Sequence, residues 1–216
     1  MLTFAEELFL LALDDRQGAL RPMPVLALEY ALAGAVVTEL AFHNRVDTDL
    51  THLTVVDPTP TGDLLLDGVL KELAAEPRQH SLHAWLESLS DEARQIQDKV
   101  LHQLMARGIL KCEDRRILWV FHCRRYPLLD NHEIKEVCAR LRDLILGEDI
   151  PTPRDAVLIS LADACRLLNH LLSREERAQA QPRINALAKL DLVGQEVAKT
   201  VRNISQAIAL AAAGAP

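Results

Sequence analysis

Aromatic residues are scarce: Phe, Trp and Tyr together make up 4% of the chain. A core built with so few rings rests on Leu, Ala, Val and Ile, which favours helix packed on helix. The four cysteines, Cys112, Cys123, Cys138 and Cys165, show no CxxC spacing. They read as reduced, mostly structural thiols of a cytosolic protein rather than as ligands of a structural zinc. A surplus of positive charge is missing as well. The net charge is −7, so bulk attraction to nucleic acid is not expected, and only a local basic patch is left to attract an anion. No apolar run approaches the roughly 20 residues that cross a bilayer. Residues 1–15, MLTFAEELFLLALDD, have neither the cationic start nor the small-residue cleavage site of a signal peptide. Membrane contact, where there is any, is expected to be peripheral.

What remains is an ordinary globular composition, 49% hydrophobic and 25% charged over 216 residues. That length suits one domain spanning 1–216 with a real core. Helical periodicity dominates. Leu2 to Leu13 reads as a short apolar helix, with Thr3 and Glu6 as its capping box and a turn at Gly18. Pro24 to His43 reads as a long helix with almost no charge inside it, buried on most sides at the centre of the fold. Arg45 to Asp57 reads as a small β-hairpin and PTPTGD (58–63) as a breaker that caps LLLDGVLKELAA. A short helix is expected at 81–89 and a longer one from Ser90 to Arg107, closed by Gly108. Then ILK, EDRR and ILWVF read as strand, turn and strand. Asp130 with Glu133 caps a helix to Ile145, and Pro153 opens one over DAVLISLADACRLLNHLL. Ser173 with Glu176 caps the next, broken or kinked near Pro182. An Ala-rich helix (191–212) follows.

Catalytic and metal-binding patterns are weak. PTPTGDLLLD resembles a phosphate cradle, but the P-loop lysine pattern is absent and Asp63 puts an anion where a phosphate would sit; an N-cap aspartate is the stronger reading. His80 and His83 lie three apart without a third ligand. Glu6 with Glu7, and Asp14 with Asp15, are adjacent and point apart, as helix-start charges and solvated turns do. No GxSxG elbow or HExxH is present. No enzyme and no cofactor is expected.

The informative stretch is RRILWVFHCRRYPL (115–128), where five apolar residues sit between two Arg pairs. As a strand, Ile117, Trp119 and Phe121 share one face and Leu118 and Val120 the other. Burying the Trp is worth up to about 5 kcal/mol, so an exposed one is expected to be covered part of the time. Trp also favours the headgroup level of a bilayer, where flanking arginines meet anionic lipid. Three readings stay open on these residues: a core strand first, a membrane or partner contact second, and a DNA-reading wing third. For that wing, helix 93–107 would offer Arg94, Gln95, Gln97, Lys99 and Gln103 as base-reading donors.

LTFAEELFLLALDDRQG, ALAGAVVTELAFHNRV, PTGDLLLDGVL, LHQLMARGIL and YPLLDN, in that order, resemble the Golgi phosphoprotein 3 family over nearly the whole chain. PTGDLLLD after the TEL helix is the most specific element. The resemblance implies a mainly α fold, a buried central helix bundle ringed by amphipathic helices with small β-hairpins. It implies a non-enzymatic, cytoplasmic, peripherally membrane-associated protein. Eukaryotic members bind phosphatidylinositol 4-phosphate and the cytoplasmic tails of glycosyltransferases. The family's membrane-contacting hairpin falls here on 109–121, so Arg115, Arg116, Leu118, Trp119 and Phe121 become the expected contact residues. The family lipid pocket has a Trp and an Arg at positions that are Pro24 and Ala33 here, and two Arg at positions that are Arg94 and Gln97. One of four is kept, which leaves phosphoinositide specificity open, with Arg21, Arg124 and Arg125 as substitute cations. The chain starts at the first family motif without the basic arm of eukaryotic members, as a stripped-down, prokaryotic-type relative would. The expected partners are anionic membrane lipid, other proteins or a second copy of the chain; nucleic acid is not expected. The alternative function is a regulatory protein whose hairpin is an oligomer or partner interface.

Overall fold

A computed structural model describes residues 1–14, 18–48, 52–75, 81–111, 113–117, 121–129 and 132–213; the side chains of 113–117, 121–124 and 211–213 lie outside the description. Among the described residues the chain forms ten helices and two antiparallel hairpins. The protein is mainly α, as the aromatic-poor composition predicts.

Helix α1 (Phe4–Ala12) is buried along its whole length. Thr3 Oγ1 accepts from Glu6 N at 3.2 Å, and Glu6 Oε2 accepts from Thr3 N at 2.7 Å, the reciprocal cap expected from the sequence. Helix α2 (Ala27–Phe42) starts three residues later than the sequence suggests, because Leu26 takes a left-handed conformation there. It packs on α1, and the two form the centre. Around them stand α3 (Leu64–Ala75), α4 (Leu82–Asp91), α5 (Ala93–Ala106), α6 (His132–Leu146), α7 (Pro153–Ala164), and the hairpin of α9 (Arg174–Ala188) and α10 (Leu192–Ala213). The short α8 (Leu168–Leu171) joins α7 to α9. Hairpin β1 (Val46–Thr48) with β2 (Leu53–Val55) lies where the sequence places it.

The ring helices show the expected stripes. In α5, Ala93, Ile96, Val100, Leu101 and Leu104 are buried; in α6, Ile134, Val137, Leu141 and Ile145 are. Asp63 is the N-cap of α3, accepting from Leu65 N at 2.8 Å and Leu66 N at 3.1 Å, so the cap reading of PTPTGD holds. The Ser173–Glu176 box caps α9.

Four expectations differ from the structure. Glu6 and Glu7 are not solvated helix-start charges; both are buried. The segment 154–172 is not one helix: α7 ends at Ala164, and Arg166 adopts φ +59° before α8. Pro182 does not break α9. Its missing N–H orphans the Ala178 carbonyl, which lies on the exposed side where water can satisfy it. EDRR is not a turn but part of strand β3 (Glu113–Ile117), paired with β4 (Phe121–Arg125). The register sets Glu113 opposite Arg125 and Asp114 opposite Arg124, so opposite charges replace the apolar pairs of an ordinary strand. The Asp130 cap lies outside the described residues.

A buried polar contact helps tie the α9–α10 hairpin to α7. Asp191 is buried, accepts from Gly194 N at 2.9 Å and approaches Ser160 of α7. A Cβ on Gly194 would sit 2.2 Å from both Ser160 Oγ and Asp191 Oδ2. Gly194→Ala is therefore expected to cost about 1–3 kcal/mol in urea unfolding. Gly68, inside α3, meets only the mobile end of Lys99 at 3.4 Å. Gly68→Ala is expected to leave stability unchanged or raise it by up to about 1 kcal/mol. Equal effects of the two substitutions would contradict this packing.

Candidate functional site: a core-rooted hairpin and its cationic neighbours

The β3–β4 hairpin grows from the core. Ile109, Leu110 and Tyr126 at its base are buried. Leu129 N donates to the Ile109 carbonyl at 2.9 Å, Lys111 N to Pro127 at 3.1 Å, and Leu110 bridges Leu128. The Tyr126 ring packs edge-on against Phe9 of α1, 6.4 Å between centroids. Tyr126 N donates to the Gly18 carbonyl at 2.7 Å, and a Cβ on Gly18 (φ +60°) would lie 2.5 Å from the Tyr126–Pro127 backbone. Only glycine fits that crossing. Gly18 thus clamps the hairpin root.

The apolar run of 117–121 is divided by this fold. Ile117 ends β3, Phe121 begins β4, and they are register partners. The residues between them, 118–120, Leu118 and Trp119 included, lie outside the described residues. Arg115, Arg116 and Arg124 occupy positions on the paired strands, and Arg125 is half-buried at the root.

Arg21 leaves the clamp loop and lines a cavity of about 530 Å³ with Asp14, Lys135, Cys138, Arg142 and His170. Its Nε donates to the Leu13 carbonyl at 2.9 Å, and Nη1 lies 3.8 Å from Asp14. Arg142 is held by Glu176 and by the Leu171 carbonyl at 2.8 Å. Burial, with Arg21 beside it, holds the His170 imidazole below its usual range, so the ring is neutral at pH 7. With Arg21 beside Asp14 and Arg142 held by Glu176, Lys135 is the lining cation that faces no carboxylate among the described residues.

The other expected positions do not converge on it. Arg94 is exposed in the first turn of α5, and Gln97 is half-buried one turn on; neither lines the Arg21 cavity. Pro24 is half-buried ahead of α2, and Ala33 is fully buried within it and offers no donor. Lys135, Arg142 and His170 were not singled out by the sequence reading. Lys135, Cys138 and Arg142 do fall on one face of α6 at helical spacing, a signal that could have found two of them; His170 reaches the cavity only through the break at Arg166.

Two further clefts flank the α9–α10 turn. One, about 820 Å³, lies between α4, α7, α9 and α10. The other, about 420 Å³ and mostly apolar, is lined by Phe42, Val157, Leu190 and Leu192 among others. Asp191 borders the apolar one and fastens the turn between them. Among the described residues no cluster of His, Cys, Asp and Glu could hold a metal ion, and no helix is long and apolar enough to cross a membrane.

Fold and site together define a helical protein with a β-hairpin rooted in its core and cationic side chains near the root. The Golgi phosphoprotein 3 (GPP34) family model matches residues 4–204, and the chain belongs to that family. It is 29% identical over 150 residues to vacuolar protein sorting-associated protein 74 of Schizosaccharomyces pombe (strain 972). That match takes in 60% of this chain and 44% of the relative, so it spans less than half of that protein's length.

Burial pushes the Asp191 carboxyl up to about 6, although the amides of Gly194 and Val193 and the Ser160 hydroxyl favour its charged form. The folded state therefore binds this proton more tightly than the unfolded chain. The resulting stabilisation is complete below about pH 4 and is lost as pH rises through 6, by up to about 3 kcal/mol. Asp191→Asn removes the titration. Its stability relative to wild type, read from urea midpoints, is expected to rise by about 2–3 kcal/mol from pH 4 to 7; a difference independent of pH would contradict the buried carboxyl.

Proposed function

We propose that the protein is a non-enzymatic adaptor that associates peripherally with membranes, docking on anionic lipid through the β3–β4 hairpin and the cations around its root. One observation carries the reading: in a chain of this family, the hairpin that bears Arg115, Arg116, Arg124 and Arg125 is anchored in the core and ends in an apolar run. A stiff root lets the apolar end meet a surface without unfolding the bundle. Trp119, Phe121 and Leu118 insert shallowly, and the arginines meet headgroups at about 1 kcal/mol each.

Arg21 and Lys135 extend that contact toward the neighbouring cavity. They replace the donors that Pro24, Ala33 and Gln97 do not supply, and Arg94 contributes at most from a separate place. The ligand class is therefore anionic lipid in general, with phosphoinositides as one member. Cargo or other proteins would be held by the faces that stay in the cytoplasm.

Flotation with vesicles containing anionic lipid tests this. Wild type is expected to float. Trp119→Asp and the double neutralisation Arg115→Gln/Arg116→Gln, whose register partners are the uncharged Cys123 and His122, are expected to lower partitioning by roughly 30-fold, with unchanged melting temperature. Equal flotation of all three proteins would overturn the docking role. Dissociation of an oligomer in Trp119→Asp, with no difference on vesicles, would favour the hairpin as an interface between copies, for which its ribbon edges, unpaired among the described residues, are suited.

A further inference from the structure

The 820 Å³ cleft lies apart from the residues assigned to membrane docking. One wall is the first turn of α4, where Ser81 Oγ accepts from Ala84 N at 3.1 Å. The opposite wall is the α9–α10 hairpin, which carries Lys189, Lys199 and Arg202 into the cleft. Its volume falls in the range of small-molecule sites.

The charges of this cleft do not cancel. Asp163 is taken by Arg177 at 2.6 Å, a residue behind the cleft wall. Glu196 is taken by Lys199 at 3.2 Å, with His83 Nδ1 at 3.3 Å on its other side. Lys189 and Arg202 are left with no charge partner among the described residues. Arg21, Arg45, Arg107, Arg140, Arg142, Arg154 and Arg177, by contrast, all face carboxylates. Lys189 caps the C-terminal end of α9, Arg202 lies on α10, and the first residues of α4 line the same cleft. A second feature is rigidity: the Asp191–Ser160–Gly194 contact fixes the hairpin that carries both cations.

We propose that this cleft binds a small organic solute carrying two linked phosphates, with Lys189 and Arg202 as its anchoring cations. Two separately mounted cations suit an anion charged at more than one point. The cleft is larger than an inorganic ion requires, and Leu82, Ala188 and Leu192 give the body of a solute an apolar surface. His83 and Asn185 supply hydrogen-bond partners at its sides.

Pyrophosphate is the probe. Calorimetric titration of wild type at low salt is expected to give a dissociation constant below about 1 mM, rising at least tenfold in Lys189→Glu/Arg202→Glu and rising with added salt. Both positions are exposed, so the variant should keep the wild-type melting temperature. The same variant should float with anionic vesicles as wild type does, and Trp119→Asp should still bind pyrophosphate. The assignment is overturned if wild type shows no binding up to about 5 mM, or if the double variant binds equally well. It is also overturned if the double variant loses flotation while free pyrophosphate is never bound, which would make these cations part of the membrane face.

Discussion

Glu6, Glu7 and Glu39 are buried carboxylates at the centre of the bundle, and the ring helices are arranged around neutralising them. An unpaired carboxylate there would cost several kcal/mol. Each is met by an arginine from a different ring helix. Arg107, at the end of α5, reaches Glu6 at 3.2 Å. Arg140 of α6 bridges Glu7 at 2.8 Å and Asp155 of α7 at 3.0 Å. Arg154 of α7 meets Glu39 of α2 at 2.9 Å and stacks over Phe4, 4.0 Å from the ring centre. Glu39 in turn accepts the Phe4 backbone N–H at 2.6 Å, so α2 caps α1. Several of these atoms, Glu6 Oε1 and Arg154 Nε among them, sit at ion-pair distance without an aligned hydrogen bond among the described residues. Four carboxylates face three guanidiniums, and Glu6 is the one that burial holds above the usual carboxylate range. The network therefore sets which ends of α5, α6 and α7 meet α1, something that apolar packing alone specifies weakly.

That arrangement decides where function is available. With α1 locked by its N-terminal carboxylates, its other end delivers the 13–21 loop to the hairpin root, where Gly18 closes on Tyr126. Phe9 of the same helix seats the Tyr126 ring. The hairpin is thereby held at its base. On the far side of the bundle α10 is held by a different device, a buried cap aspartate against a serine, with glycine as the only residue small enough between them. The two proposed ligand surfaces thus depend on separate fastenings.

Much of the architecture was legible from residues close in sequence. Thr3 with Glu6, Ser173 with Glu176 and Asp63 announce helix starts because a cap acts over three residues. The stripes of α5 and α6 follow from a 3.6-residue period. The illegible parts are those decided at long range. Glu6 and Glu7 read as solvated because their arginines lie about 100 to 150 residues away. Glu39, deep inside a helix whose only other charge is Glu29 in its first turn, was the available hint that a buried partner existed. EDRR reads as a turn until its register partners are known. Of the candidate site, the presence of a hairpin near 109–121 and Arg21 could be read in advance, but not its strands, which pair 113–117 with 121–125; the cavity that Arg21 shares with Lys135 and His170, and the cleft of Lys189 and Arg202, exist only once helices are packed.

The central claim, that a buried carboxylate–arginine pair couples α2 to α7, is tested most directly by a double-mutant cycle on Glu39→Gln and Arg154→Met in denaturant unfolding. Coupling of at least about 2 kcal/mol is predicted, with the double variant more stable than the sum of the single losses implies. Losses that add to within about 0.5 kcal/mol would show that the two side chains act independently, and the network would not be what orders the bundle.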